Sequence, residues 1–274
     1  MPELPEVQTV VNDLVSSGLI GRTLVHVLVR WPGSIAEVDP EAFRRRLVGR
    51  RVVGLARRAK WIVWDLDNRA RMLSHLRMTG RFYWSDPRDA FGRHDHVVFS
   101  LDDGRQLRYQ DTRKFGRFYL PANNDRLDRL GPEPLSRQFT ARLLGQRLAR
   151  HRRQLKPLLL DQLFLAGLGN IYVDEALWDA GLHPTRTSDG LTAEEVRRLH
   201  RAIRKVLRRG LRNMGTTLGT GQTTFYSVAG RRGRNRDQLN VFRRTGALCP
   251  RCKAAIVRFV VGQRSTHICP ACQR

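Results

Sequence analysis

Four cysteines near the end of the chain have the most specific spacing of any reactive residues. They form Cys249-x2-Cys252 and Cys269-x2-Cys272, with 16 residues between the pairs. Two such pairs are typical of a tetrahedral zinc site with four thiolate ligands. Two disulfides are the alternative, which is disfavoured because the N-terminus does not resemble a secretion signal. We therefore expect one structural Zn²⁺, since four thiolates leave no open coordination position for catalysis.

The N-terminus carries a second group of reactive residues. Methionine is usually removed before a small residue, and loss of Met1 would give Pro2 a free secondary amine. An α-amino group titrates near pH ~8, so part of it is nucleophilic at neutral pH. Glu3 and Glu6 could transfer protons in glycosidic chemistry. Taken alone, an incidental proline and two carboxylates that favour a helix N-terminus are the simpler explanation of the pattern.

The charge balance points to a polyanionic partner. Fifty Lys and Arg residues against 25 Asp and Glu give a formal net charge of +25. Such an excess favours nucleic acid without separating DNA from RNA, and a solubility adaptation or an Arg-rich codon bias is the alternative. No apolar run approaches the ~18 residues of a membrane span. We expect a cytoplasmic, nucleoid-associated protein that does not bind membranes.

Hydrophobic spacing divides the chain into a strand-rich and a helix-rich part. Apolar residues at helical spacing predict an amphipathic helix over 3–17, and Asp39 and Pro40 begin a short helix that ends near Leu47. Short β-branched and aromatic runs predict an antiparallel sandwich or barrel, with strands over 22–30, 51–57, 61–66, 71–76, 96–101, 106–110 and 117–120. Helices are predicted over 138–149, 156–164, 170–180 and 193–211, and a zinc-bound hairpin over 256–261 and 264–268.

These patterns predict five segments. They are a strand-rich domain at 1–121, a linker at 122–136, a helical domain at 137–218, a flexible loop at 219–242 and a zinc-binding segment at 243–274.

A set of ordered blocks resembles the formamidopyrimidine-DNA glycosylase family along nearly the whole chain. The blocks are Met1-Pro-Glu-Leu-Pro-Glu-Val7, Lys60, His75-Leu-Arg-Met78, His94-Asp-His-Val97, Asp111-Thr-Arg-Lys-Phe-Gly116, Leu130-Gly-Pro-Glu-Pro-Leu135, Lys156-Pro, Gly167-Leu-Gly-Asn-Ile-Tyr172 and the four cysteines. The resemblance implies an α+β fold of two domains: an N-terminal antiparallel β-sandwich with an N-terminal helix, and a helix-two-turn-helix domain with a zinc-finger hairpin. It also implies double-stranded damaged DNA as the partner of a monomeric enzyme.

The resemblance assigns roles to individual residues. Pro2 would be the nucleophile, Glu3 the acid/base, Glu6 a supporting carboxylate and Lys60 a contact to phosphates beside the lesion. Met78, Arg113 and Phe115 would fill the gap left by a flipped nucleotide. The remaining predicted DNA contacts are His75, His94, Lys156 reaching toward the lesion side, Asn170 as both helix cap and phosphate ligand, and Arg264 at the hairpin tip.

The activity that the resemblance implies is excision of oxidised purines followed by strand nicking through β,δ-elimination. An endonuclease VIII-like enzyme for oxidised pyrimidines and an inactive zinc-dependent DNA-binding homologue are the alternatives. Three departures from the family pattern affect lesion preference: Gln8 in place of Glu, Thr112 in place of Pro, and the Arg-rich loop at 219–237.

Overall fold

The computed structural model describes residues 1–123, 125–221 and 224–274. They form two compact units, one of Met1–Leu127 with Asn213–Arg234 and one of Asp128–Arg212 with Asn235–Arg274. In the predicted division the chain leaves the first domain once, at the linker. In the structure it returns to the first unit after Arg212. No helix in the described ranges is long and apolar enough to cross a bilayer.

The first unit is built on two β-sheets. Its elements are α1 (Leu4–Ser16), β1 (Leu24–Val29), β2 (Ile35–Ala36), α2 (Pro40–Leu47), β3 (Val52–Arg58), β4 (Trp61–Leu66), β5 (Arg71–His75), β6 (Arg81–Ser85), β7 (Asp95–Leu101), β8 (Gln106–Gln110), β9 (Arg117–Tyr119) and α3 (Asp125–Asp128). One sheet is antiparallel with order β1-β7-β8-β6. The other has order β2-β9-β5-β4-β3, in which β2 and β9 run parallel and the other neighbours antiparallel.

Aromatic side chains join the inner faces of the two sheets. The ring centroids of Tyr109 and Phe118, one from each sheet, lie 4.9 Å apart, and those of Trp64 and Phe99 lie 6.0 Å apart. The apolar face of α1 is buried in the same core through residues such as Val7 and Leu14. Because full burial of one such side chain contributes about 1.5–3 kcal/mol, this core fixes the N-terminal helix against the sandwich.

Most predicted strands lie within two residues of the observed ones, but two strands were missed. In β6 only Phe82 is buried, so an edge strand of this kind has no alternating pattern to detect. Strand β2 is two residues long. The helix predicted over 156–164 ends at Leu160, because Asp161 is already extended.

The second unit contains four helices and a hairpin. They are α4 (Ala141–Ala149), α5 (Leu155–Leu160), α6 (Asn170–Ala180), α7 (Ala193–Arg212), β10 (Val257–Val261) and β11 (Arg264–Ile268). Helices α6 and α7 approach closely at Gly210, where an added Cβ would lie 2.5 Å from the Tyr172 hydroxyl oxygen. The predicted capping box at the start of α7 is present, since Thr192 and Glu195 exchange hydrogen bonds of 2.8 and 3.3 Å.

A buried ion pair connects α5, α6 and the hairpin. Lys156 Nζ lies 2.5 Å from Asp174 Oδ1, and both side chains are completely buried. The other carboxylate oxygen of Asp174 accepts from the backbone N–H of His267, at 3.0 Å. Removing one partner of such a pair leaves a buried charge uncompensated, so the hairpin and the helices depend on both.

We expect Asp174→Ala to lower the free energy of unfolding by about 3–5 kcal/mol, because it leaves the Lys156 ammonium buried without its counter-charge. The double variant Lys156→Met/Asp174→Leu should regain most of that loss. Urea denaturation measures both. Glu194→Ala, which removes an exposed ion pair with Arg197, is the control and should cost less than about 1 kcal/mol. A loss as small as the control's would contradict the buried-charge argument.

Candidate active site and nucleic-acid interface

The N-terminal residues are held by the first turn of α1. Glu3 is the N-cap, and its side chain and that of Glu6 form a capping box with each other's backbone N–H groups. The Glu3 backbone N–H donates to Glu6 Oε2 at 2.9 Å. Pro2, Glu3 and Glu6 are all buried, whereas Met1 is 48% exposed. The predicted nucleophile and its two carboxylates therefore occupy one fixed corner of the first unit.

Glu6 also binds a segment that is far away in sequence. Its Oε1 accepts from the backbone N–H of Thr216 at 2.7 Å. The preceding residue, Gly215, has φ +81°, and an added Cβ would lie 2.8 Å from the Glu6 carboxylate. Glycine is required here both by the left-handed backbone and by the close approach. The role of Glu6 in this structure is therefore to join α1 to the returning segment.

Lys60 lies in the turn between β3 and β4. It is 5% exposed and follows Ala59, whose φ is +54°. The guanidinium of Arg57 donates to the Ala59 carbonyl at 2.8 Å and to Gln8 Oε1 at 3.0 Å. Gln8, noted above as a departure, thus accepts a hydrogen bond from the side chain that supports the Lys60 turn.

His75 is a neutral donor and not a cation. Burial, together with the nearby charges of Arg77 and Lys60, lowers the pKa of His75 to about 3. Its Nδ1 accepts from the Arg77 backbone N–H at 3.0 Å, so the ring proton resides on Nε2. His94, the other predicted histidine, has a buried Nδ1 that makes no hydrogen bond to any described residue. The His75 ring therefore has an Nε2–H to donate to an anion.

The three predicted gap-filling residues lie together on the surface of the first unit. Arg113 Nη1 lies 3.0 Å from the Met78 sulfur, and its guanidinium carbon is 4.8 Å from the centroid of the Phe115 ring. Met78 is 40% exposed and Phe115 is 47% exposed. Exposed apolar side chains around a guanidinium are suited to insertion between base pairs.

Asp111 positions the loop that carries Arg113 and Phe115. One carboxylate oxygen accepts from the Arg113 backbone N–H at 3.2 Å and from the Thr79 hydroxyl. The other accepts from the backbone N–H groups of Phe115 and Gly116, at 2.9 and 2.7 Å. No role was predicted for Asp111 from the sequence, although an Asp that begins a Gly-containing loop is a recognisable turn signal.

In the second unit, the hairpin tip is held by the helices. Asn170 Nδ2 donates to the Ser265 carbonyl at 2.8 Å, and Lys156 Nζ donates to the same oxygen at 2.9 Å. Ser265 adjoins Arg264, which is exposed. Asn170 and Lys156 thereby fix the strand that presents Arg264.

Two expectations for these residues need correction. Asn170 was expected to be the helix cap, but the N-cap of α6 is Gly169 and Asn170 is the first helical residue. The Asn170 side chain does not cap the helix and instead donates to the Ser265 carbonyl. Lys156 was expected to reach toward the lesion side, but it is completely buried and paired with Asp174. A buried ammonium needs a carboxylate and carbonyl oxygens around it, and the sequence does not show that Asp174 supplies them.

The four cysteine sulfurs lie within 4.8 Å of one another, and none is in a disulfide. Tetrahedral zinc with bonds of about 2.3 Å requires sulfurs about 3.8 Å apart. The distances from Cys249 to Cys272 and from Cys252 to Cys269 are 3.9 and 3.3 Å. The donor set fits one zinc ion and excludes the two-disulfide alternative for this structure.

A further carboxylate, which sequence reasoning missed, anchors the segment that follows Thr216. Asp13 lies seven residues after Glu6 on α1 and accepts from the Arg231 guanidinium at 2.5 Å and from the Ala229 backbone N–H at 3.2 Å. Val228 is 4% exposed within the sandwich core. The returning segment is therefore tied to α1 at two carboxylates two helical turns apart, by Glu6 at Thr216 and by Asp13 within the segment predicted as a loop.

Three family models match the chain. They are the formamidopyrimidine-DNA glycosylase N-terminal domain over residues 1–118, the H2TH domain of the same family over 130–222, and the zinc finger found in FPG and IleRS over 246–274. The predicted fold class and zinc site are confirmed.

Proteins named formamidopyrimidine-DNA glycosylase are similar over the full length. Those of Protochlamydia amoebophila and Roseiflexus sp. are 44% and 46% identical, with all of each chain covered. A Lactococcus lactis variant solved with Fapy-dG-containing DNA has a TM-score of 0.92 at 33% identity, covering all of both chains. The same organism's wild-type protein, solved with oxidised-pyrimidine DNA, has a TM-score of 0.90 at 33% identity over all of both chains.

The low pKa of His75 predicts a pH dependence of stability. Between pH 6.5 and about 3 the unfolded chain binds a proton that folded His75 excludes, so stability falls as the pH is lowered through this window. From pH 6.5 to 5 the loss from His75 is about 2 kcal/mol. His75→Gln should remove this part of the pH dependence in urea denaturation. His26→Gln, at an exposed histidine, is the matched control, and equal changes in both variants would contradict burial as the cause.

Gly116 allows a test of how tightly the loop that Asp111 positions is packed. An added Cβ would lie 1.6 Å from the Tyr109 hydroxyl oxygen, so Gly116→Ala must displace the loop or the ring. We expect a loss of about 1–3 kcal/mol in unfolding free energy, measured by urea denaturation. Gly145→Ala is the control, because Gly145 lies inside helix α4 and an added Cβ there would lie at an ordinary contact distance of 3.4 Å from the Val196 side chain. Unchanged stability of Gly116→Ala would refute the tight packing described.

Proposed function

The chain belongs to the formamidopyrimidine-DNA glycosylase family and is a DNA glycosylase of base-excision repair, and we propose that Pro2 is the nucleophile with which it excises oxidised purines and nicks the strand. The observation that carries this proposal is the capped, buried start of α1. A free N-terminus normally frays, whereas here both carboxylates of the capping box fix Glu3, the residue next to the proposed nucleophile.

The proposed chemistry begins once Met1 has been removed. The Pro2 nitrogen forms a bond to C1′ while the bond from C1′ to the damaged base breaks, and Glu3 transfers the protons at the sugar. The bond between C1′ and O4′ then breaks, with O4′ taking a proton, and the ring-opened product is an iminium that acidifies C2′. Loss of a C2′ proton expels the 3′ phosphate, and a second elimination expels the 5′ phosphate. With Met1 retained, the nitrogen is an amide and no attack occurs.

The remaining predicted contacts would hold and distort the duplex. Lys60, His75 and His94 would bind phosphates in the first unit, and Asn170 and Arg264 would do so in the second. Met78, Arg113 and Phe115 would occupy the gap left by the flipped nucleotide, with the guanidinium pairing to the orphaned cytosine. We assign Lys156 to positioning, through Ser265, instead of direct contact.

Zinc would be held by Cys249, Cys252, Cys269 and Cys272, and it would supply structural cross-linking of the finger. The Ile256 and Trp178 side chains pack beside the cysteines in a small core. These residues together keep the base of the hairpin in place, so that its tip presents Arg264. We further propose that the protein acts as a monomer in the cytoplasm, associated with the nucleoid and not with membranes.

Excision of oxidised pyrimidines is the second candidate, because a solved relative is described in complex with oxidised-pyrimidine DNA. Rates on one panel of 8-oxoguanine, formamidopyrimidine and oxidised-pyrimidine duplexes separate the candidates. Equal or faster cleavage of the pyrimidine lesions would overturn the purine assignment.

Borohydride trapping tests the nucleophile. We expect the processed protein to form a covalent adduct with lesion DNA, and Glu3→Gln to slow excision by about 10²–10⁴-fold, the usual contribution of a general acid/base. Mass spectrometry first verifies that Met1 has been removed. Single-turnover rates then compare the variants.

Glu41→Gln is the matched control. Like Glu3, Glu41 follows a proline at the start of a helix, but it is exposed. It should retain the wild-type rate. Absence of an adduct from the processed protein would favour the inactive DNA-binding homologue.

A further inference from the structure

A basic cavity lies in the first unit at one end of the five-stranded sheet. Its volume is about 820 Å³, and its charged lining consists of Arg46, Arg51, Arg69 and Arg71 with Asp65 and Asp67. An adjoining cavity of about 280 Å³ adds Arg45 and Arg50. Arginines from the end of α2, the start of β3 and the β4–β5 turn therefore converge on one place.

This cavity is separate from the candidate active site. In the register of β4 and β5, Trp61 pairs with His75 at one end and Asp65 pairs with Arg71 at the other. Four residues at about 3.3 Å each separate the two ends by about 13 Å. Lys60 and His75 lie at the first end, and the basic cavity lies at the second.

Most of these arginines are not neutralised within the protein. Arg71 pairs with Asp65 at 2.7 Å, and Arg45 lies 4.0 Å from Glu41. Across the described ranges, no carboxylate oxygen lies within 4.0 Å of the guanidinium nitrogens of Arg46, Arg51 or Arg69. Because the arginines outnumber the two aspartates of the lining, they repel one another, and an anion that binds among them relieves the repulsion.

Arg69 occupies a backbone position that does not favour arginine. Its φ is +63°, in the left-handed region, within a turn closed by hydrogen bonds from Arg69 to Leu66 and from Leu66 to Ala70. Glycine or asparagine meets such a position with less strain. The backbone does not require arginine at this turn, whereas its exposed guanidinium adds to the charge of the cavity.

The geometry points to a second DNA duplex as the occupant, and we propose that this cavity binds the phosphates of undamaged DNA while the lesion duplex occupies the active site. The inference rests on the proposed function. Among the residues that the structure describes, no aromatic side chain lines either cavity, so none of them stacks a base as a nucleotide site would require. The exposed arginines, in a protein of net charge +25, instead match a backbone of repeated phosphates.

A second duplex in this cavity gives the protein a route between DNA segments. Contacts to the incoming segment form before those to the departing segment are lost, so transfer does not require free protein. Dissociation from a first duplex should then accelerate with the concentration of a competing duplex, whereas simple dissociation is independent of it.

The test uses the full-length protein bound to a labelled duplex that carries an uncleavable abasic-site analogue. Its dissociation rate is measured against increasing undamaged duplex. We expect a linear rise for the wild type and at least a threefold smaller slope for Arg46→Gln/Arg69→Gly. Glycine relieves the backbone strain at position 69, so this variant should fold. Its single-turnover excision rate should stay within twofold of the wild type.

Arg142→Gln/Arg150→Gln is the matched control, because it removes the same charge from exposed positions in α4 of the second unit. It should keep the wild-type slope. A wild-type rate that does not depend on competitor, or equal slopes in the two variants, would overturn the proposal. Equal acceleration by poly-glutamate would assign the cavity to acidic chains in general and overturn the DNA assignment. Failure of the wild type to bind the labelled duplex at all would instead contradict the proposed function.

Discussion

The carboxylate of Glu6 is the interaction on which the candidate active site depends. One oxygen accepts from the backbone of Glu3 and the other from that of Thr216, so a single side chain fixes both the helix start and the returning segment. Both donors are backbone amides held in a buried place, where an unpaired N–H would cost about 1–3 kcal/mol. The start of α1, which follows Pro2, is therefore fixed by a residue more than 200 positions away as well as by its own neighbours.

Asp111 and Asp174 have a similar role in two other parts of the molecule. Each is a buried carboxylate that satisfies backbone or ammonium donors from separate segments, and each lies behind a residue predicted to touch DNA. The surface groups Arg113, Phe115 and Arg264 are thus positioned from inside. An exposed long side chain loses about 1.5–2 kcal/mol of rotamer entropy when it is ordered, and a fixed backbone reduces what binding must supply.

The sequence predicted those features that depend on local pattern. Cysteine spacing identified the zinc ligands, helical periodicity identified α1 and α7, and the blocks around Met78 and Arg113 predicted neighbours that the structure brings together. It did not predict which polar residues are buried, because Asp174 and Asp13 look like ordinary charged residues on helices until their distant partners are known. For the same reason, Lys156 was taken for a surface ligand. Strand β6 was missed because only one of its side chains is buried.

The discontinuous first unit has a consequence for biosynthesis. Helix α1 leaves the ribosome first, but Thr216 and Arg231 follow only after residues 128–212 have been made. At ordinary rates of synthesis this takes on the order of 10 s, during which Glu6 and Asp13 lack the hydrogen-bond partners that the returning segment supplies. Until the returning segment arrives, the capping box of Glu3 and Glu6 holds the start of α1 without the hydrogen bond to Thr216. The path of the chain thus makes the fixing of this corner a late step in completing the first unit.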